Sequence, residues 1–116
     1  MILLSLVPLS YLVVGPGEEL LHRNVIQKSL RAEFSGVGAV AVASVIFAAV
    51  HLPAYADPNG TTLALFNTLA TVFALSLILG AVYERTGNLT VSALVHGSFN
   101  AVAFAIEYAE ITGVIG

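Results

Sequence analysis

The sequence predicts an all-α protein, a polytopic bundle of transmembrane helices. Hydrophobic residues make up 58% of the 116-residue chain and charged residues only 9%, with a mean hydropathy of +0.94. A soluble domain carries about 25% charged residues, so this composition lies far outside that class. A buried core does not account for the shortage, because a chain this small leaves much of its surface facing its solvent. That solvent is therefore mostly lipid. Finally, the apolar residues run in stretches as long as a bilayer is thick.

Four apolar stretches appear in order, three of them of that length. The first, Ile2 to Val14, is shorter than the ~20 residues of a spanning helix. The others, Gly36 to Ala56, Thr61 to Tyr83 and Leu89 to Tyr108, are long enough to span. Gly15-Pro16-Gly17 breaks the first stretch, and Pro16 suits the first position of a new helix. From Glu18 to Phe34 the chain is polar on one face, with Leu20, Leu21, Val25, Ile26 and Leu30 at helical spacing. Asp57-Pro58-Asn59-Gly60 and Thr86-Gly87-Asn88 are turn signals. With no repeat or linker, residues 1–116 read as one domain.

Composition excludes several classes. Cysteine is absent, which rules out disulfides and thiolate metal sites. A net charge of −3 with four Lys and Arg leaves no basic patch, so no nucleic-acid partner is expected. Arg23, Lys28 and Arg31 precede the second stretch and Arg85 follows the third. The positive-inside tendency then places the Lys28–Ser35 corner and the Arg85 turn in the cytoplasm, with Asp57–Gly60 and the C-terminus outside. Asn59-Gly60-Thr61 and Asn88-Leu89-Thr90 match the glycosylation sequon, a pattern too short to carry weight.

An ionisable group in the bilayer costs a few kcal/mol or more, so each one needs a reason. Glu18 and Glu19 open a helix after Pro16, where the macrodipole favours carboxylates, and Glu19 lies four residues before Arg23. From these residues alone a capped, solvated helix start is the simpler reading. His51, taken singly, reads as a histidine at the membrane interface. His96 and Asn100 share one helical face beside the small residues Ala93, Gly97, Ala101 and Ala105. Structural glue between helices and a functional role are equally open for that pair.

Geometry joins these groups. If the chain turns near Ser35-Gly36, Glu18 lies 17 residues before Ser35 and His51 lies 16 after it. At ~1.5 Å per residue both stand ~25 Å from the corner and face each other. His96 is nine residues past Gly87, ~14 Å from its turn. The depths agree if the charged corner projects ~10 Å from the membrane.

Three motifs on these residues resemble a known family. GEELLHRNVIQ resembles the EExxxR motif of the CPBP family (CAAX proteases and bacteriocin-processing enzymes, also called Abi), FAAVH its FxxxH, and HGSFN its HxxxN. The motifs occur in order and span Glu18 to Asn100, most of the chain. The resemblance implies an integral, multi-pass membrane endopeptidase with its active site toward the cytoplasmic side. Its partners would be the lipid bilayer and membrane-associated protein or peptide substrates. Carried over by position, Glu18 would be the base that activates water, assisted by His51. His96 and Asn100 would stabilise the oxyanion, and Glu19 and Arg23 would support the site.

Family members usually carry helices before the first motif, and here only residues 1–17 precede it. A minimal member, a fragment, and a chain completed by an oligomer or partner helices all fit. No cofactor is expected, since Asn100 beside His96 suits an oxyanion hole. Zinc held by Glu18, His51 and His96 is the alternative, a His₂Glu ligand set. Two other functions remain: a non-catalytic immunity or scaffold protein retaining the motifs, and a metal-handling protein. The last rests on Glu19-Leu20-Leu21-His22, a Glu-x-x-His spacing of which di-iron bundles use two copies and this chain has one.

Overall fold

The first apolar stretch and the polar segment after it form one helix. The computed structural model describes residues 2–116. Residues 2–30 wind into a single helical run, α1. Within it the α-helical segments Ile2–Leu9, Gly15–Glu19 and Lys28–Leu30 alternate with wider π-type segments, Ser10–Val14 and Leu20–Gln27. This continuity corrects the expectation that Gly15-Pro16-Gly17 ends the first stretch. Proline breaks a helix because its ring collides with the carbonyl four residues back and its missing N–H leaves that carbonyl unpaired. Here the preceding turn is already widened, with the Gly15 N–H bonded to Ser10 O five residues back. Pro16 thus enters where the ordinary ladder is interrupted, as at a π-bulge.

A turn over residues 31–34 leads to Ser35, whose hydroxyl accepts from Gly38 N at 3.1 Å and caps α2, Gly36–Tyr55. The polar helix therefore ends at Leu30, four residues short of the expected Phe34, while the corner stays at Ser35. Asp57 folds its carboxylate onto Asn59 N at 2.8 Å in the next turn. Thr61 then caps α3, Thr62–Thr86, by accepting from Ala64 N. Gly87 at φ +60° closes α3 in the left-handed conformation that glycine reaches without penalty. Asn88 caps α4, Leu89–Ile111, by accepting from Thr90 N at 2.9 Å. Caps of this kind are worth about 1 kcal/mol each.

Helices α2 and α3 pack along each other, α4 packs on residues 2–19 of α1 and on α3, and α2 covers Leu20–Gln27. Each of α2, α3 and α4 is long and apolar enough to cross a membrane. The interior is as polar as the outside is apolar. Among the described residues, Glu19, Arg23, Gln27, Ser44, Ser76, Ser92 and His96 are buried with Ala39, Ala43, Phe47 and Leu79. Meanwhile Val37, Leu63, Phe66 and Ile78 stand exposed. Lipid solvates apolar side chains, so helices associate through small residues and polar contacts instead.

The closest approach is between α1 and α4. A Cβ on Gly15 would lie 2.7 Å from Ser10 O and 3.0 Å from Ala93 O, both backbone atoms. One on Gly97 would lie 2.9 Å from the Tyr11 ring. Ala93 and Gly97 of the small-residue ridge read from the sequence thus seat α1, while Ala105 stands exposed. Gly15→Ala is expected to destabilise by about 2 kcal/mol, as overpacking does. Gly17 has no neighbouring atom within 4 Å of such a Cβ. Gly17→Ala should therefore leave stability unchanged or raise it by up to about 1 kcal/mol through helix propensity. Thermal unfolding midpoints in detergent check this, and equal midpoints for the two variants refute the tight seam.

Candidate active site

Glu19, Arg23 and Gln27 recur every fourth residue on α1, and all three side chains are fully buried. Arg23 uses its whole fork. Nε donates to Glu19 Oε2 at 3.2 Å and Nη1 to Gln27 Oε1 at 3.1 Å. Nη2 donates to Ser76 Oγ at 2.8 Å and Ser76 O at 3.0 Å on α3. Gln27 Nε2 donates to Gly80 O and Glu84 Oε1, each at 3.2 Å. A Cβ on Gly80 would lie 2.9 Å from Gln27 Oε1, so α3 is bare where this network crosses it. A buried charge is tolerated when its partners are complete, and here they are.

Glu19 passes the network to α4. Its Oε1 accepts from His96 Nδ1 at 2.9 Å, and its Oε2 also accepts from Ser92 Oγ. The other nitrogen of His96, Nε2, stands 3.2 Å from Glu18 Oε2. An imidazole with a carboxylate at each nitrogen donates to both only in its doubly protonated form. Glu18 Oε1 faces His51 Nε2 at 3.9 Å. His51 Nδ1 lies 2.6 Å from Phe47 O, and since a carbonyl only accepts, that nitrogen carries the proton. Nε2 is thereby turned toward Glu18.

The structure thus brings Glu18, His51 and His96 together, with Glu19 and Arg23 directly behind them. Asn100 lies one turn beyond His96 and lines the same cavity, with no hydrogen bond to either carboxylate. That cavity of about 450 Å³ is walled by all four helices, with Phe47, Tyr55, Val72, Leu75, Phe99 and Phe104 as its apolar sides. Glu18 and His51 are partly open to it, while Glu19 and Arg23 are sealed away.

Glu18, His51 and His96 lie near one another, but among the described residues no group of three or more His, Asp and Glu side chains is spaced to hold a metal ion. Both nitrogens of His96 face carboxylates instead.

Sequence reasoning missed Gln27, Ser76 and Ser92. Gln27 and Ser92 carried a faint signal, each four residues from a singled-out group on its own helix. Ser76 carried none. His22 is also buried, edge-on to Phe47 with ring centroids 4.7 Å apart, and its Nδ1 has no hydrogen-bond partner. It lies outside the network, and no second Glu-x-x-His segment joins it.

A family model described as type II CAAX prenyl endopeptidase Rce1-like matches residues 1–102. No curated protein and no solved structure matches the chain. The match covers all three motifs and most of the helices, and with three helices able to cross a membrane it makes this an integral membrane protein. The chain belongs to the Rce1-like family of type II CAAX prenyl endopeptidases, a family of the intramembrane protease kind.

Proposed function

We propose that the chain is an endopeptidase that hydrolyses peptide bonds of membrane-associated proteins or peptides. In this reading Glu18 and His51 activate water, and His96 and Asn100 hold the oxyanion. The observation that carries it is a partly open carboxylate, Glu18, set between two imidazoles at the mouth of an apolar cavity.

A separation of 3.9 Å is too long for a direct hydrogen bond and suits a water that bridges Glu18 Oε1 and His51 Nε2. Both groups accept, so together they orient the water's lone pair toward the cavity, and Glu18 takes its proton as it attacks. The scissile carbonyl oxygen becomes an oxyanion, which the His96 Nε2–H and the Asn100 carboxamide receive as donors. A water-poor pocket strengthens those contacts. Collapse breaks the C–N bond, and the proton held by Glu18 passes to the leaving amine. Neither oxidant nor metal enters this account.

The test is cleavage of membrane-anchored peptides by the purified protein in liposomes, mapped by mass spectrometry with and without a strong chelator. Cleavage that survives the chelator is expected. Loss that zinc restores would assign Glu18, His51 and His96 to a metal. Absence of any cleavage, with partner binding that survives Glu18→Gln, would favour the scaffold reading. Asn100→Ala should lower the rate by ~10²–10³-fold, as loss of one oxyanion donor does. Wild-type turnover in that variant would remove Asn100 from the site.

The orientation follows from the same reading. Arg31 pairs with Glu84 at 3.5 Å, so the 31–35 corner and the Arg85 turn share one end of the bundle. We place that basic end in the cytoplasm. Cysteines at Asn59 and Arg85 should then label from opposite sides, and labelling from one side rejects the topology.

A further inference from the structure

We infer that Ser92 is a positioning residue: it fixes the Glu19 carboxylate, and through it the orientation of His96. The inference rests on the peptidase reading for its kinetic consequence and on geometry alone for its structural one.

Ser92 is fully buried on α4, one turn before His96. Its hydroxyl donates to Glu19 Oε2, the oxygen that also takes Arg23 Nε at 3.2 Å. A second acceptor, Leu79 O, is farther away at 3.4 Å, and a hydroxyl has one proton to give. The two oxygens of Glu19 are therefore divided. Oε2 is pinned from two helices, by Arg23 of α1 and Ser92 of α4, and Oε1 is left to accept from His96 Nδ1 at 2.9 Å. A carboxylate held by one donor can still rotate about its own axis. Held from two helices, its plane is fixed, and so is the direction from which Oε1 meets the imidazole. Ser92 and His96 are on one helix, so Glu19 closes a ring with the α4 backbone. That ring keeps Nδ1 occupied and leaves Nε2 as the nitrogen presented to Glu18 and the cavity. Without Ser92, Glu19 keeps Arg23 but loses the constraint that ties its plane to the helix carrying His96.

A bland role, filling the narrow seam between helices, makes a different prediction, and the molecule contains its control. Ser44 is equally buried, and its hydroxyl has no hydrogen-bond partner. Ser92→Ala and Ser44→Ala delete the same atom from buried sites, but only the first unties Glu19.

The experiment compares Ser92→Ala, Ser92→Cys and Ser44→Ala in the full chain, purified in detergent. It measures kcat and KM per folded molecule and the ¹⁵N resonances of the His96 ring. Ser92→Ala should lose ~10-fold or more in kcat with KM little changed, since misplacement of a catalytic group by a fraction of an ångström acts on the transition state. The His96 ¹⁵N resonances should shift, and Ser44→Ala should match the wild type in both. Ser92→Cys replaces the hydroxyl by a weak donor of similar shape and should fall between them. Unchanged His96 resonances in Ser92→Ala overturn the inference, or in Ser92→Cys if Ser92→Ala does not fold. So does an equal kcat loss in Ser44→Ala. Shifted resonances in a protein that cleaves nothing would support the positioning and reject the peptidase reading, so the two failures are distinguishable.

Discussion

Glu18→Gln is expected to remove peptide cleavage while leaving the protein folded in the membrane, with a rate loss in the ~10²–10⁴-fold range that a general base supplies. The site explains why folding should survive. Glu18 Oε2 stands 3.2 Å from His96 Nε2, and Oε1 faces His51 Nε2 at 3.9 Å. A carboxamide has the same shape and fits between both neighbours, its oxygen toward His96 Nε2 and its amide toward His51 Nε2. What it lacks is basicity, since an amide nitrogen cannot take a proton from water at neutral pH. Rates on a membrane-anchored peptide, with the folded fraction from size-exclusion profiles, check both halves. Wild-type cleavage by the variant refutes Glu18 as the base, whatever the geometry.

Arg23→Ala is expected to do the reverse and remove the folded protein itself. Arg23 is fully buried and makes bonds to Glu19, Gln27 and Ser76. Without it Glu19 is a buried carboxylate missing its guanidinium partner, and breaking such a pair costs ~3–5 kcal/mol. Small domains hold only about 5–15 kcal/mol in total. Accumulation in membranes should fall sharply. Arg23→Lys should not restore it, because one ammonium cannot place three separate donors toward α1 and α3 as the planar fork does. Normal accumulation of Arg23→Ala in wild-type amounts would make the network incidental.

Much of this arrangement was legible in the sequence because helix rise is constant. Counting from a corner at Ser35 set Glu18 opposite His51, and the cap at Ser35 is where α2 begins. The ridge Ala93–Gly97 was readable too, since small residues every fourth position leave a groove. The join across Pro16 was hidden. A proline after a glycine reads as a stop, and only the five-residue hydrogen bond at Gly15 shows how the helix continues. Ser76 and Ser92 were hidden for another reason. A serine in a spanning helix usually bonds back to its own backbone, as Ser98 does to Leu94 O, so its sequence position says nothing of a partner.

The threonines of the cavity wall carry a consequence for whatever enters it. Thr68 and Thr71 spend their hydroxyl protons on Ala64 O and Asn67 O of their own helix, at 3.0 and 2.9 Å. Their protons are withheld from the cavity, and the Phe and Leu side chains beside them offer none. A polypeptide pressed against that wall finds almost nothing to replace the hydrogen bonds it would lose by uncoiling, and each unpaired peptide group in such surroundings costs several kcal/mol. Beside Glu18, His51, His96 and Asn100 the lining is polar. On the proposed peptidase reading, a peptide guest would keep its internal pairing along most of this wall and give it up only over that short polar stretch, so the lining would choose where the guest opens.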